Sequence, residues 1–231
     1  MATRFQQHRP LARVPLIDTC IRAMHRAFAH APRFESSAAY WKDHYRQHAT
    51  PAESAFGRVA DFKARVLRDF INRRDTESVI DWGCGDASPM ILLECPHYTG
   101  VDICLDVITR CKREFKTDAR KHFMLATEAK RAGVIAELAL SLDVIYHLVE
   151  DDVFEAHMRA LTESSTHFIG ICSSDKDAPG RASHVRHRSF SAWIARHTPQ
   201  WKRVEFVRNP YPYDKANADQ TSWSDFHFFA R

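Results

Sequence analysis

The chain has 231 residues, a net charge of +4 and 45% hydrophobic residues, which suits one soluble α/β domain with a short extension. No apolar run approaches the ~20 residues that span a bilayer, and Met1 to Arg13 holds no apolar core of a secretory signal. Six scattered cysteines without a C-x-x-C pair predict reduced thiols and a cytoplasmic location, and fourteen histidines without H-E-x-x-H or a Cys/His cluster predict no metal site.

Residues 1–36 read as a basic N-terminal extension. Arg4, Arg9, Arg13, Arg22, Arg26 and Arg33 stand against Asp18 alone up to Arg33. Within it Leu16, Ile17, Cys20, Ile21, Met24 and Phe28 recur at helical spacing and predict an amphipathic helix over 15–30. Such a helix packs on its own domain, pairs two copies into a homodimer, or acts as a lid. An arginine-rich presequence is a further reading, although the segment is not serine-rich.

Residues 37–231 read as the main domain. Ala38 to Tyr45 is aromatic and helical, with Trp41 and Tyr45 one turn apart on one face. A long helix over 58–74 follows, with Val59, Phe62, Val66, Leu67 and Phe70 on its apolar side. Strands are then predicted near 77–82, 98–103, 121–126, 137–142, 167–173, 202–208 and 224–230. Helices are predicted near 87–94, 105–116, 150–162 and 188–197. The alternation predicts a doubly wound, Rossmann-like sheet with helices on both faces.

The first strand runs into a glycine turn, Asp81-Trp82-Gly83-Cys84-Gly85-Asp86-Ala87, and the second ends in an acid, Tyr98-Thr99-Gly100-Val101-Asp102. A nucleotide-type cofactor needs this pair. The glycines admit the ligand close to the backbone, and the acid accepts hydrogen bonds from ribose hydroxyls. The dinucleotide fingerprint G-x-G-x-x-G is incomplete, because its third glycine position is Ser88.

An acid, one residue and then G-x-G resembles the first motif of the class I S-adenosylmethionine-dependent methyltransferases. Glu137 to Leu148, ELALSLDVIYHL, is similar to that family's fourth strand and the turn after it. The resemblance spans roughly 37–231 and is closest to a small bacterial and phage-type group with similar S-L-D-V-I-Y-H-L-V-E-D and H-V-R-H-R runs. It implies a seven-stranded sheet of order 3-2-1-4-5-7-6 with an antiparallel last strand. It implies S-adenosyl-L-methionine as cofactor, leaving as S-adenosyl-L-homocysteine. By the same resemblance Asp81, Gly83, Cys84 and Gly85 lie at its methionine part, Asp102 at the ribose and Ile103 against adenine. The adenine amino group falls to Glu128, the nearest acid after the third strand, or to backbone groups. Leu142, Asp143, Tyr146 and His147 face the sulfonium and the acceptor, with His147 a candidate general base or a residue that only orients the helix. Trp41 and Tyr45 cap the pocket or pack in the core. Ala87 stands where the family often has a third glycine, which is tolerable with a negative φ.

The run Ser183 to Arg188 supplies His184, Arg186, His187 and Arg188. These cationic donors suit a carboxylate or phosphate, or else form a solvated helix start. The expected reaction is methyl transfer to oxygen or nitrogen of a small-molecule or glycan-type acceptor, with an anionic one fitting this run. The basic charge also permits an RNA substrate, against which no accessory RNA-binding module is seen. A Rossmann oxidoreductase and a catalytically silent partner protein complete the alternatives.

Overall fold

The computed structural model describes residues 34–47, 57–87, 95 and 97–231. The chain divides into Met1–Arg33 and Phe34–Arg231, and only the second unit is described below. The helix expected over 15–30, and all of that expected over 87–94 except Ala87, lie outside the described residues.

Helices α1 (Ser37–Gln47) and α2 (Arg58–Arg73) precede the sheet. The alternating part runs β1 (Ser78–Trp82), β2 (His97–Asp102), α3 (Leu105–Glu114), β3 (Lys121–Leu125), α4 (Ala126–Ala132), β4 (Ala136–Leu142), α5 (Asp151–Glu163) and β5 (Ser165–Ser173). Two-residue strands β6 (Ala178–Pro179) and β7 (Arg186–His187) form a separate hairpin. Helix α6 (Phe190–His197), β8 (Lys202–Val207) and β9 (Asp225–Ala230) complete the chain.

The seven-stranded sheet has the order β3-β2-β1-β4-β5-β9-β8. Strands β1 to β5 pair in parallel, and β9 is antiparallel to both β5 and β8. With the small hairpin set aside, this is the order the resemblance implies. Side chains alternate between faces, as strand geometry requires. Val79, Leu138 and Phe228 point to one face, where Phe62, Leu67 and Phe70 of α2 cover them. The Phe70 and Phe228 rings stack with centroids 3.9 Å apart. Ile80, Ala139 and Phe229 point to the other face, under Phe154 and Met158 of α5 and Phe190 and Trp193 of α6.

Helix α4 is absent from the sequence reading. Only seven residues long, it is too short to show an apolar period. Its ends are nonetheless marked. The Glu128 carboxylate accepts the Leu125 N–H at 3.0 Å, and Gly133 closes the helix at φ 60°. Among the described residues no helix is long and apolar enough to cross a membrane.

Candidate active site

A cavity of about 900 Å³ opens at the carboxyl ends of β1, β2 and β4, where doubly wound sheets bind ligands. The turn after β1 forms one wall. Gly83 and Cys84 donate their N–H groups to Val101 O at 2.7 and 3.0 Å, which folds the chain back on itself. Gly83 has φ 85° and Gly85 φ 53°, both in the left-handed region. Space is also short. A Cβ on Gly83 would sit 2.5 Å from Val144 Cγ2, and one on Gly85 would sit 2.7 Å from the Tyr45 hydroxyl. Ala87 departs from the expectation of a negative φ. It adopts φ 57°, held by its N–H bond to Cys84 O at 2.9 Å, because the same tight turn continues through it.

Two carboxylates flank this turn. Asp81 is 2% exposed, and its Oδ2 accepts the Tyr98 hydroxyl at 3.0 Å. Its Oδ1 is buried with no hydrogen-bond partner among the described residues. Burial pushes its pKa up to about 7, against the Tyr98 bond and with Asp102 adding to the rise. Asp102 ends β2. Its Oδ2 accepts the Gly85 N–H at 3.1 Å and its Oδ1 the Cys104 N–H at 2.9 Å, which leaves further lone pairs on each oxygen. Burial raises its pKa and these backbone bonds oppose the rise. Ile103, next in the chain, is half exposed at the cavity wall. Cys84 is buried, and its thiol is held well above the ordinary value chiefly by burial. It is therefore a packing group rather than a nucleophile.

Helix α1 spans the opening. At its start the Ser37 hydroxyl donates to Glu150 Oε2 at 2.5 Å and accepts the Val149 N–H at 3.1 Å. At its end Tyr45 reaches the glycine turn, and Arg110 donates to its carbonyl at 3.4 Å. Trp41 and Tyr45 both line the cavity. Burial pushes the Tyr45 hydroxyl far up, with Asp102 and Asp86 adding to it.

The turn after β4 forms the opposite wall. Asp143 sits at φ 57° and donates its N–H to Cys172 O at 2.9 Å. Its carboxylate pairs with Lys63 of α2 and accepts the Ser224 hydroxyl at 2.6 Å. Burial pushes the Asp143 pKa up, but Lys63 outweighs it and holds the group below the usual carboxylate range. A short 3-10 turn, Ile145–His147, then presents Tyr146 and His147 to the cavity. His147 Nδ1 lies 3.3 Å from the His184 carbonyl, which can only accept. Nδ1 therefore carries the proton and Nε2 the lone pair. Burial drives the His147 pKa down to about 4, so the imidazole is neutral at pH 7.

The remaining residues expected at the site separate into two groups. His184, in the turn of the β6–β7 hairpin, lines the cavity together with Leu142. Glu128, Arg186, His187 and Arg188 are not among the lining residues. Glu128 is spent on the start of α4. Arg188 is 4% exposed, and its guanidinium donates to Leu148 O and Val149 O and pairs with Asp151. Arg186 donates to Val149 O and pairs with Asp151 at 3.0 Å. His187 Nδ1 lies 2.6 Å from the Ser174 hydroxyl. The two arginines hold the chain after His147 in place, and the buried Arg188 offers no open fork to an anion.

Several lining residues escaped the sequence reading. Lys63 carried a signal, because it follows Val59 by one turn on the apolar face of α2 and so is a buried lysine in need of an anion. His157 of α5, which lies 2.8 Å from the Ser141 hydroxyl, could be placed only once the helix was. Tyr213 and Trp223 come from the long connection between β8 and β9. Among the described residues, no group of three or more His, Cys, Asp or Glu side chains is arranged to hold a metal ion.

No protein-family model matches the chain, and no curated protein matches it. Solved structures do. Magnesium protoporphyrin IX methyltransferase ChlM from Synechocystis PCC 6803 with bound SAM aligns with a TM-score of 0.61 at 14% identity, covering 84% of this chain and 97% of that one. The N-methyltransferase NodS from Bradyrhizobium japonicum WM9, in complex with S-adenosyl-L-homocysteine, aligns at 0.58 and 17%, covering 75% and 87%. The methyltransferase domain of a bacterial Hen1, CtHen1-CN, aligns at 0.56 and 17%, covering 74% and 100%. At these identities the likeness is one of fold, and the chain has the class I methyltransferase fold.

Proposed function

We propose that this protein is an S-adenosylmethionine-dependent methyltransferase that moves a methyl group to oxygen or nitrogen of a small acceptor. The observation that carries the reading is Asp81 Oδ1, a buried carboxylate oxygen without a partner in the wall of a 900 Å³ cavity. A buried acceptor left unmade costs free energy, and the ammonium of a methionine group complements it. The other walls fit the same ligand. Gly83 and Gly85 leave room for close approach, and Asp102 retains lone pairs for ribose hydroxyls. Five aspartates against two lysines line the cavity among the described residues, an excess that suits a sulfonium.

When bound, the cofactor would supply a methyl carbon activated by positive sulfur, to which the acceptor lone pair would bond as the carbon–sulfur bond breaks and the sulfur leaves with its electrons as a neutral thioether. The chain's own part is largely positioning, which alone lowers a displacement barrier by several kcal/mol. Helix α1 and the turn after β4 close on the reacting centre from two sides and exclude water. The neutral His147 presents a lone pair that takes the acceptor proton as the new bond forms. Its low basicity suits a proton that becomes acidic only during transfer.

Incubation with methyl-labelled S-adenosylmethionine and a cell extract split into small-molecule and RNA fractions tests the reading. The expected result is label in the small-molecule fraction. Label in RNA would favour the RNA reading, which the acidic cavity lining disfavours. Absence of both transfer and S-adenosylhomocysteine binding would refute the proposal.

A further inference from the structure

The acceptor end of the cavity is walled by rings. Tyr213 and Trp223 lie with centroids 4.3 Å apart, and Trp223 meets Tyr146 at 6.0 Å. Tyr146 meets His147 at 4.5 Å, and His147 meets Trp41 at 4.6 Å. His184 runs nearly parallel to His147 at 5.8 Å. All six line the cavity. Five of them, Tyr146 excepted, are only half-buried, and Tyr40 stacks on the His184 ring at 4.1 Å.

Several of the polar groups around these rings are already engaged. The Ser37 hydroxyl serves Glu150 and Val149. Lys63 and Asp143 neutralise each other, and Ser224 occupies the same carboxylate. Thr221 accepts the Asp214 N–H at 3.1 Å and donates to Asn217 O at 2.7 Å. Ser222 accepts the Ser224 N–H at 3.2 Å. A sugar brings many hydroxyls to a wall made mainly of rings, and an anion meets no lysine or arginine among the six wall residues: Lys63 is paired with Asp143, and the cavity's other lysine, Lys130, comes from α4, which gives no residue to this wall. A flat ring with one polar substituent meets half-buried aromatic side chains and the lone pair of His147.

We infer that the acceptor is an uncharged planar ring, aromatic or heteroaromatic, bearing the hydroxyl or amine that takes the methyl group. This rests on the methyltransferase reading above. The wall is built by segments outside the sheet: α1 gives Trp41, the β6–β7 hairpin His184, and the β8–β9 connection Tyr213 and Trp223. That connection is tied down by Asn209, whose amide donates to Tyr211 O at 3.0 Å and Ser222 O at 2.9 Å. The segment that carries Tyr213 and Trp223 is therefore held in place by its own chain.

The test is calorimetric titration of the full chain, saturated with S-adenosylhomocysteine, at neutral pH. The probes are 2-naphthol, 2-naphthoate and methyl glucoside. Naphthol should bind at least about ten-fold more tightly than the other two, as expected for ring stacking without an opposing charge. Trp223→Leu, which keeps bulk but loses the ring, should weaken naphthol about ten-fold, and Trp223→Phe should restore part of it. Melting curves for both variants separate lost stacking from lost fold. Equal binding of naphthoate or methyl glucoside would overturn the acceptor class, as would equal naphthol affinities of the two variants. Either result would leave the methyltransferase reading standing, whereas failure of S-adenosylhomocysteine to bind would strike that reading first.

Discussion

Lys63→Met strands a carboxylate at the centre of the site. The Lys63 and Asp143 side chains are 5% and 22% exposed. Breaking a buried pair by removing one partner costs ~3–5 kcal/mol. Asp143 would keep Ser224 and some contact with water, so the lower end, about 3 kcal/mol, is expected. For a chain of this size that lowers the melting temperature by roughly 6–12 °C. The effect has a sign with pH. In the parent, Lys63 holds Asp143 below its ordinary 3.8. That stability is present above pH 3.8 and is lost as pH falls through the folded pKa. In the variant burial is opposed only by the Ser224 and Tyr146 hydroxyls, the carboxyl rises above 3.8, and acid relieves the penalty. Urea unfolding of both proteins from neutral pH to pH 4 should therefore show a gap that narrows as pH falls. Lys63→Met/Asp143→Asn should recover most of it, because asparagine tolerates the positive φ of this position. A gap below about 1 kcal/mol, flat with pH, would refute the pairing argument.

Three further predictions concern the cofactor and acceptor groups. Gly85→Ala places a Cβ 2.7 Å from the Tyr45 hydroxyl and should weaken S-adenosylhomocysteine binding by displacing α1. Tyr45→Phe in the same chain should return part of the affinity, and no recovery would show that the strain lies in the backbone alone. Asp81 is held up to about pH 7 in the free protein, so a cationic ligand should bind more tightly as pH rises to about 7 and no more tightly beyond. Asp81→Asn should weaken binding and flatten that profile in titrations across pH. His147 is pushed down to about 4, so its contribution to turnover should persist to acidic pH and fall as pH drops through about 4. A limb near 6.5 that disappears in His147→Asn would contradict the burial of this imidazole.

The sheet was legible because each parallel strand carries its own apolar run and each long helix its own period. The glycine turn was legible because Gly83 and Gly85 are demanded by backbone angle and crowding and Asp102 stands at a strand end, so residue type and position coincide. The acceptor wall was not legible. Tyr213 and Trp223 lie in a connection of 208–224 whose path is fixed by Asn209 and by the Ser222–Tyr211 backbone bond. Neither contact has a period or a spacing rule. Arg186 and Arg188 misled because a dense basic run looks the same whether it faces a ligand or its own chain. Their partners, Asp151 and the carbonyls of Leu148 and Val149, lie 35 to 40 residues away. Ala87 misled because a methyl group at positive φ is uncommon, and only the continuing turn imposes it.

The central claim is that the glycine turn and Asp102 hold S-adenosylmethionine. Calorimetric titration with S-adenosylhomocysteine, with NADH as control, tests it on the parent and on Asp102→Ala. The account predicts that S-adenosylhomocysteine binds and NADH does not. It also predicts that the variant loses at least about ten-fold in affinity, since each ribose bond to a charged acceptor is worth ~1.5–3 kcal/mol. Unchanged affinity in the variant, or binding of NADH in place of S-adenosylhomocysteine, would contradict it.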